Sequence, residues 1–134
     1  MPVSLLEFVR RMDFAAWTPP RSAVLALRAL SRRIQALLVA RAQEKNRLHA
    51  DRATEATPAA IRESIERHME AINAEIDSLT AAALESVRTD SVLSARFDHL
   101  LSVKGIAEAS SVTILAELSV LPADMSPDFC QSCP

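Results

Sequence analysis

Two long stretches of chain have almost nothing in them that would stop a helix. The first, Ser22–Arg52, contains neither Gly nor Pro. The second starts at Thr57-Pro58 and meets neither residue again before about Arg88. The whole chain holds a single Gly. An all-β fold needs many tight turns, so this count excludes one and leaves an all-α protein.

In the first stretch the apolar residues Val24, Leu27, Leu30, Ile34, Leu37, Leu38 and Leu48 fall within one broad arc at 100° per residue. Ala, Leu, Arg and Gln, all good helix formers, fill the rest. Ser22 is the expected N-cap. At 1.5 Å per residue this helix is roughly 46 Å long. In the second stretch Thr57 is the expected cap, with Pro58 at the first helical position. Its stripe is Ile61, Ile65, His68, Met69, Ile72, Ile76, Leu79, Ala83 and Val87, a narrower arc.

Two helices of matched length joined by a loop at 53–57 fold back as an antiparallel hairpin. A turn centred near residue 55 sets Leu48 against Ile61 or Arg62, Ile34 against Ile76 and Leu27 against Ala83. Charge agrees. Residues 21–52 hold eight basic and two acidic side chains, whereas residues 58–90 hold three basic and seven acidic. Arms of opposite sign attract along their length. With aromatics at 4% and no Tyr, the core must come from Leu, Ile, Val, Ala and Met.

Two shorter helices follow, Ser91–Leu101 and Glu108–Leu118. The turn between them, with Val103, Lys104, Gly105, Ile106 and Ala107, has the layout of a helix-hairpin-helix. Such a turn exposes backbone N–H groups at the start of the second helix, where the helix dipole favours a DNA phosphate, and Lys104 adds a flexible cation. The motif normally carries a second Gly where this chain has Ala107. A plain helical turn with Gly as C-cap fits the same spacing. The expected architecture is thus a long antiparallel helical hairpin, or coiled coil, followed by a short helix-hairpin-helix unit.

The basic arm is the second candidate. Arg28, Arg32, Arg33, Lys45 and Arg47, with Arg41 and Arg52, can follow a phosphate backbone. The plainer reading, a solvated face paired with the acidic residues of the other arm, is favoured on charge alone. The net charge of −2 gives no general reason for a nucleic-acid partner. Arg41 falls inside the apolar arc nearly opposite His68, and the two are expected to form a polar layer that fixes register. Glu63, Glu66 and Glu70 share a solvent-exposed face. Cys130 and Cys133 have the spacing of half a zinc site but no further ligands nearby in sequence, which reads as an inert tail. No run reaches the ~20 apolar residues of a membrane span, and a cytosolic protein is the simplest expectation.

Several segments belong together in order: Leu6-Glu7-Phe8-Val9-Arg10, Trp17-Thr18-Pro19-Pro20, Leu27-Arg28-Ala29-Leu30-Ser31-Arg32-Arg33, Glu44-Lys45-Asn46-Arg47-Leu48, Ser64-Ile65-Glu66-Arg67-His68, Leu101-Ser102-Val103-Lys104-Gly105-Ile106-Ala107 and Ile114-Leu115-Ala116-Glu117-Leu118. This ordered set, over about residues 5–126, resembles the DEDD transposases of bacterial insertion sequences, the Piv/MooV-like, bridge-RNA-guided family.

The family joins a RuvC-like nuclease domain, through a helical coiled coil, to a C-terminal domain bearing a nucleophilic serine. The resemblance implies that residues 1–17 are a remnant helix of the nuclease domain and 18–90 the coiled-coil hairpin. Residues 91–121 become the helix-hairpin-helix start of the C-terminal transposase domain, and 122–134 a disordered tail. The family's metal-binding acids lie before this match and its serine after it, so the expectation is a truncated transposase with no catalytic residue. No cofactor is expected in this chain, the divalent metal belonging to the parent family. The implied partners are DNA, a guide RNA and a second copy through the long helices, near the nucleoid and away from membranes. The rival expectation is a helical protein–protein adaptor with no nucleic-acid role.

Overall fold

A computed structural model of the chain describes residues 5–11, 18–53 and 56–121, with only the backbone of Phe8 and Val9. It is all-helical, with no strand among the described residues. The helices are α1 (Leu5–Arg11), α2 (Ser22–Arg52), α3 (Ala59–Thr89), α4 (Ser91–Leu101) and α5 (Glu108–Leu118). Leu5 and Leu6 of α1 are exposed.

The starts of the long helices differ by one residue from the sequence reading. Arg21, not Ser22, is the N-cap of α2, and its carbonyl accepts from the amides of Val24 and Leu25. Pro58, not Thr57, is the N-cap of α3, accepting from the Ile61 amide at 3.0 Å. Neither helix has a side-chain cap. Over 31 residues each, intrahelical bonds and packing outweigh one missing cap.

α2 and α3 form the antiparallel hairpin. Arg21 meets Asp90, Arg33 meets Glu75, Arg41 meets Asn73 and Glu44 meets His68, so residue numbers rise on one arm as they fall on the other. Leu27 and Ala83 share one apolar cluster, and Ile34 packs with Ile76 in a second, as the facing rule required.

The two ends of the hairpin differ in thickness. At the base, Val24, Leu27, Ala83 and Val87 join Leu93 and Phe97 of α4 and Val112 and Leu115 of α5 in one buried cluster. This core crosses the boundary expected at residue 90, so hairpin and short helices are packed as one body there. α5 lies along α2, where Arg28 and Arg32 both reach Glu117 and Gln35 donates to Thr113. At the base α5 thus packs on α2 as well as on α3 and α4. Further out, Leu37, Ile72 and Ile76 make a small second cluster. Beyond it the arm is two helices thick: Leu48, Ile65 and Met69 are half-buried and Ile61 is exposed.

α4 starts at a well-made cap. Asp90 accepts from the amides of Val92 and Leu93, at 3.0 Å each, and from Arg21 at 2.9 Å. The Leu93 amide first, and the Arg21 guanidinium after it, hold the Asp90 carboxyl below its usual range. One side chain thus caps α4 and ties it to the first turn of α2.

Ser111 is fully buried on α5, and its hydroxyl has no hydrogen-bond partner among the described residues. A buried unsatisfied hydroxyl is a cost to the fold. Ser111→Ala is expected to raise the unfolding free energy by about 1 kcal/mol. Urea denaturation reads this directly, and a loss of stability instead would mean that the hydroxyl is satisfied in solution.

Candidate nucleic-acid interface

The turn between α4 and α5 is closed by its own backbone. Ser102, the C-cap of α4, donates its amide to the carbonyls of Asp98 and His99 and its hydroxyl to that of His99 at 2.6 Å. The Val103 amide reaches Leu100, and the Ile106 amide returns to Val103 at 3.2 Å. That last bond makes 103–106 a β-turn, with Gly105 third at φ +96°. A positive φ at this position is the type II requirement, and it is what selects Gly. A Cβ on Gly105 would meet nothing within 4 Å, so the glycine answers to backbone conformation and the space over it is open.

Ala107 follows in extended conformation as the N-cap of α5 and offers no side-chain cap. The first amide bonded back to it is that of Ser111, at 2.9 Å. Among the described residues, the amides of Glu108, Ala109 and Ser110 have no partner. These are the orphan donors at the positive end of a helix, the groups that accept an anion. Lys104 and Gly105 are exposed, Val103 is about half exposed and Ile106 half-buried. Ala107 is exposed as well, so of the five consecutive turn residues singled out in sequence only Ile106 is partly covered. The structure also sets Glu108 at the first helical position, where its carboxylate competes with any phosphate for the same dipole.

The basic arm is mostly engaged. Arg33 pairs across the hairpin with Glu75 at 2.9 Å, as opposed arms should. Arg28 and Arg32 pair with Glu117 of α5, and Arg47 with Glu44 on its own helix. Arg32 above all, with Arg28 beside it, holds the Glu117 carboxyl below its usual range. Only Lys45 of the five is exposed with no ion pair among the described residues. Only the Arg33–Glu75 pair crosses to the opposite long helix, whereas Glu117 comes from α5 and Glu44 from α2 itself.

The polar layer is built differently from the expectation. Arg41 donates to Asn73 at 3.2 Å and does not meet His68. His68 faces Glu44, with Nδ1 3.3 Å from Oε1, and Arg47 closes on the same oxygen at 2.5 Å. Glu44 is the buried member, its side chain 9% exposed against 58% for His68 and 62% for Arg47. A one-turn offset on the arm decides this: position 44 points into the seam, while Arg41 reaches along its edge. Glu63, Glu66 and Glu70 are all exposed, as expected. Cys130 and Cys133 lie outside the described residues, among which no three His, Cys, Asp or Glu side chains converge on a metal-sized site. No described helix is long and apolar enough to cross a membrane. The chain matches no protein-family model and no curated protein.

Proposed function

We propose that this chain is the DNA-binding and self-associating part of a DNA transposition protein, with no catalytic residue of its own. The observation that carries the reading is the turn at 103–107, in which Lys104 is exposed and after which the first three amides of α5 have no partner among the described residues. Such a site grips backbone phosphate without reading bases. The arginines of α2 sit in solvent-exposed pairs that salt screens, so a polyanion can compete for them. They supply a second, weaker track for DNA or a guide RNA. Self-association through the long helices belongs to the same reading, with the half-covered seam of the outer arm as its surface. Sedimentation at micromolar concentration tests that part, and a monomer there removes it. The site of action is the cytoplasm, at the nucleoid.

Fluorescence anisotropy with duplex and branched DNA tests the main claim. If about two phosphates are neutralised, raising salt from ~50 to ~200 mM weakens binding roughly tenfold. Lys104→Glu is expected to weaken binding several-fold and to reduce the salt slope by about one. The engagement of Arg28, Arg32, Arg33 and Arg47 in ion pairs favours a second reading, a protein–protein adaptor in which the Gly105 turn is merely structural. An adaptor would show neither the salt dependence nor the response to Lys104→Glu.

A further inference from the structure

A groove of about 450 Å³ lies between α4 and α5, lined by residues from 95–100 and 114–119 and by none of α2 or α3. Leu100 and Ile114 are half-buried along it, and Ala95 has nothing beyond its Cβ to fill it. Leu118 is 58% exposed, a large apolar side chain facing water. Arg96 and His99 stand on the α4 side, three residues apart on one helix face and both exposed.

The charges set this groove apart. At the base of the bundle Arg21, Arg28, Arg32, Arg33 and Arg88 each hold a carboxylate. Arg96 and His99 hold none among the described residues. Asp98, between them in sequence, is taken by Arg88. Glu117, next to Leu118, is taken by Arg28 and Arg32. An apolar trough edged by a guanidinium and an imidazole without counter-charges selects an occupant that is apolar in its middle and acidic on its flank.

The openness of the trough decides the size of that occupant. A small-molecule site buries most of its ligand, whereas the exposure of Leu118 leaves this one open to water. A helix suits it better. Each lining stretch runs for about 8 Å, and an i,i+4 pair of apolar side chains on a helix spans ~6 Å. The chain's own acidic face does not supply such a helix, because Glu63, Glu66 and Glu70 share that face of α3 with Ala59 and Ala74 and with no large apolar residue. We propose that the α4–α5 groove docks an amphipathic helix of a partner protein. Two of the partner's large apolar side chains sit against Leu100, Ile114 and Leu118, and its flanking carboxylates accept from Arg96 and His99. The groove shares no residue with the turn at 103–107, so this docking goes beyond the DNA-binding reading and fails separately from it.

A designed probe tests this on the full chain: a stapled alanine-based helix of ~15 residues, with one i,i+4 Leu pair flanked by Glu. Titrating it is expected to shift the methyl signals of Leu100, Ile114 and Leu118 saturably below ~1 mM and to leave those of Ile72 and Ile76 in place. The same peptide with Lys for Glu should bind several-fold more weakly. Arg96→Glu, a change at an exposed position, should weaken the Glu peptide several-fold and bring the Lys peptide back. No saturable shift, or equal binding of the Glu and Lys peptides, would overturn the proposal. So would three other results at the same methyls: shifts on raising the concentration of the protein alone, which give the groove to a second copy; tighter binding of dodecanoate than of the Glu peptide, which gives it to a small ligand; or shifts with duplex DNA that the Glu peptide does not produce.

Discussion

Phe97→Ala is expected to lower the unfolding free energy by roughly 3–5 kcal/mol, the range for removing a large aromatic from a closed core. Phe97 has no exposed surface, and it is the largest side chain buried so fully. It is the point at which α4 joins the hairpin, in contact with the cluster built from Val24, Leu27, Val87 and Val112. Arg88 lies over its ring at 5.0 Å and is held there by Asp98 at 2.7 Å. The ring therefore loses apolar contacts and a cation–π contact together. Four helices meet around this position, so the cavity cannot close by moving one of them. Val92→Ala, on the same helix but 45% exposed at the wild-type residue, should change stability by less than about 0.5 kcal/mol. Guanidinium denaturation of both variants gives the contrast. Hydrogen exchange should show α4 and α5 losing protection before the α2–α3 seam near Leu37 and Ile72, because that second cluster does not include Phe97. A Phe97→Ala loss under about 1 kcal/mol would mean that the base is not a packed core.

That core also marks how far the sequence could be read. Helix extents were legible because Pro19, Pro20, Pro58, Asp90 and Gly105 punctuate a chain otherwise rich in helix formers. The facing of Leu27 with Ala83 and of Ile34 with Ile76 followed from loop position and chain geometry. The turn at 103–107 was legible because a lone Gly between two helical patterns asks for a positive φ, and Gly105 has it. The contacts of α4 and α5 with the hairpin were not legible. Glu117 looks like any solvent-facing acid of a short helix until α5 is laid on α2, where it meets Arg28 and Arg32. The same holds for Leu118 of α5, a large apolar residue that the packing leaves 58% exposed. Glu44 was missed for a different reason. Its position, seven residues after the buried Leu37, is a seam position, but a charge there reads as a rim residue that swings outward.

Glu44→Leu is expected to stabilise the protein by about 1–3 kcal/mol, the direction found when a buried ion pair gives way to apolar packing. The carboxylate gives up most of its hydration at the seam, and its two partners reach it from water-exposed positions. Screening weakens what Arg47 and His68 return, while the desolvation of Glu44 is nearly complete. A Leu at 44 would extend the apolar line of Leu37, Ile72 and Ile76 toward Leu48 and Ile65, which are now only half-buried. Arg47 and His68 would stay solvated and cost nothing, because neither is buried. Glu44→Gln supplies the control: it removes the charge without adding apolar contact and should gain less than half as much. The charged residue then has a role other than stability. It meets His68 at one alignment of the arms only, whereas an all-aliphatic seam tolerates a shift by one turn or the addition of further helices. Glu44→Leu is therefore also expected to raise the sedimentation coefficient at a given concentration relative to wild type. A variant less stable by more than about 1 kcal/mol would show that the ion pairs outweigh the burial of the carboxylate, and that Glu44 holds the arm together instead of aligning it.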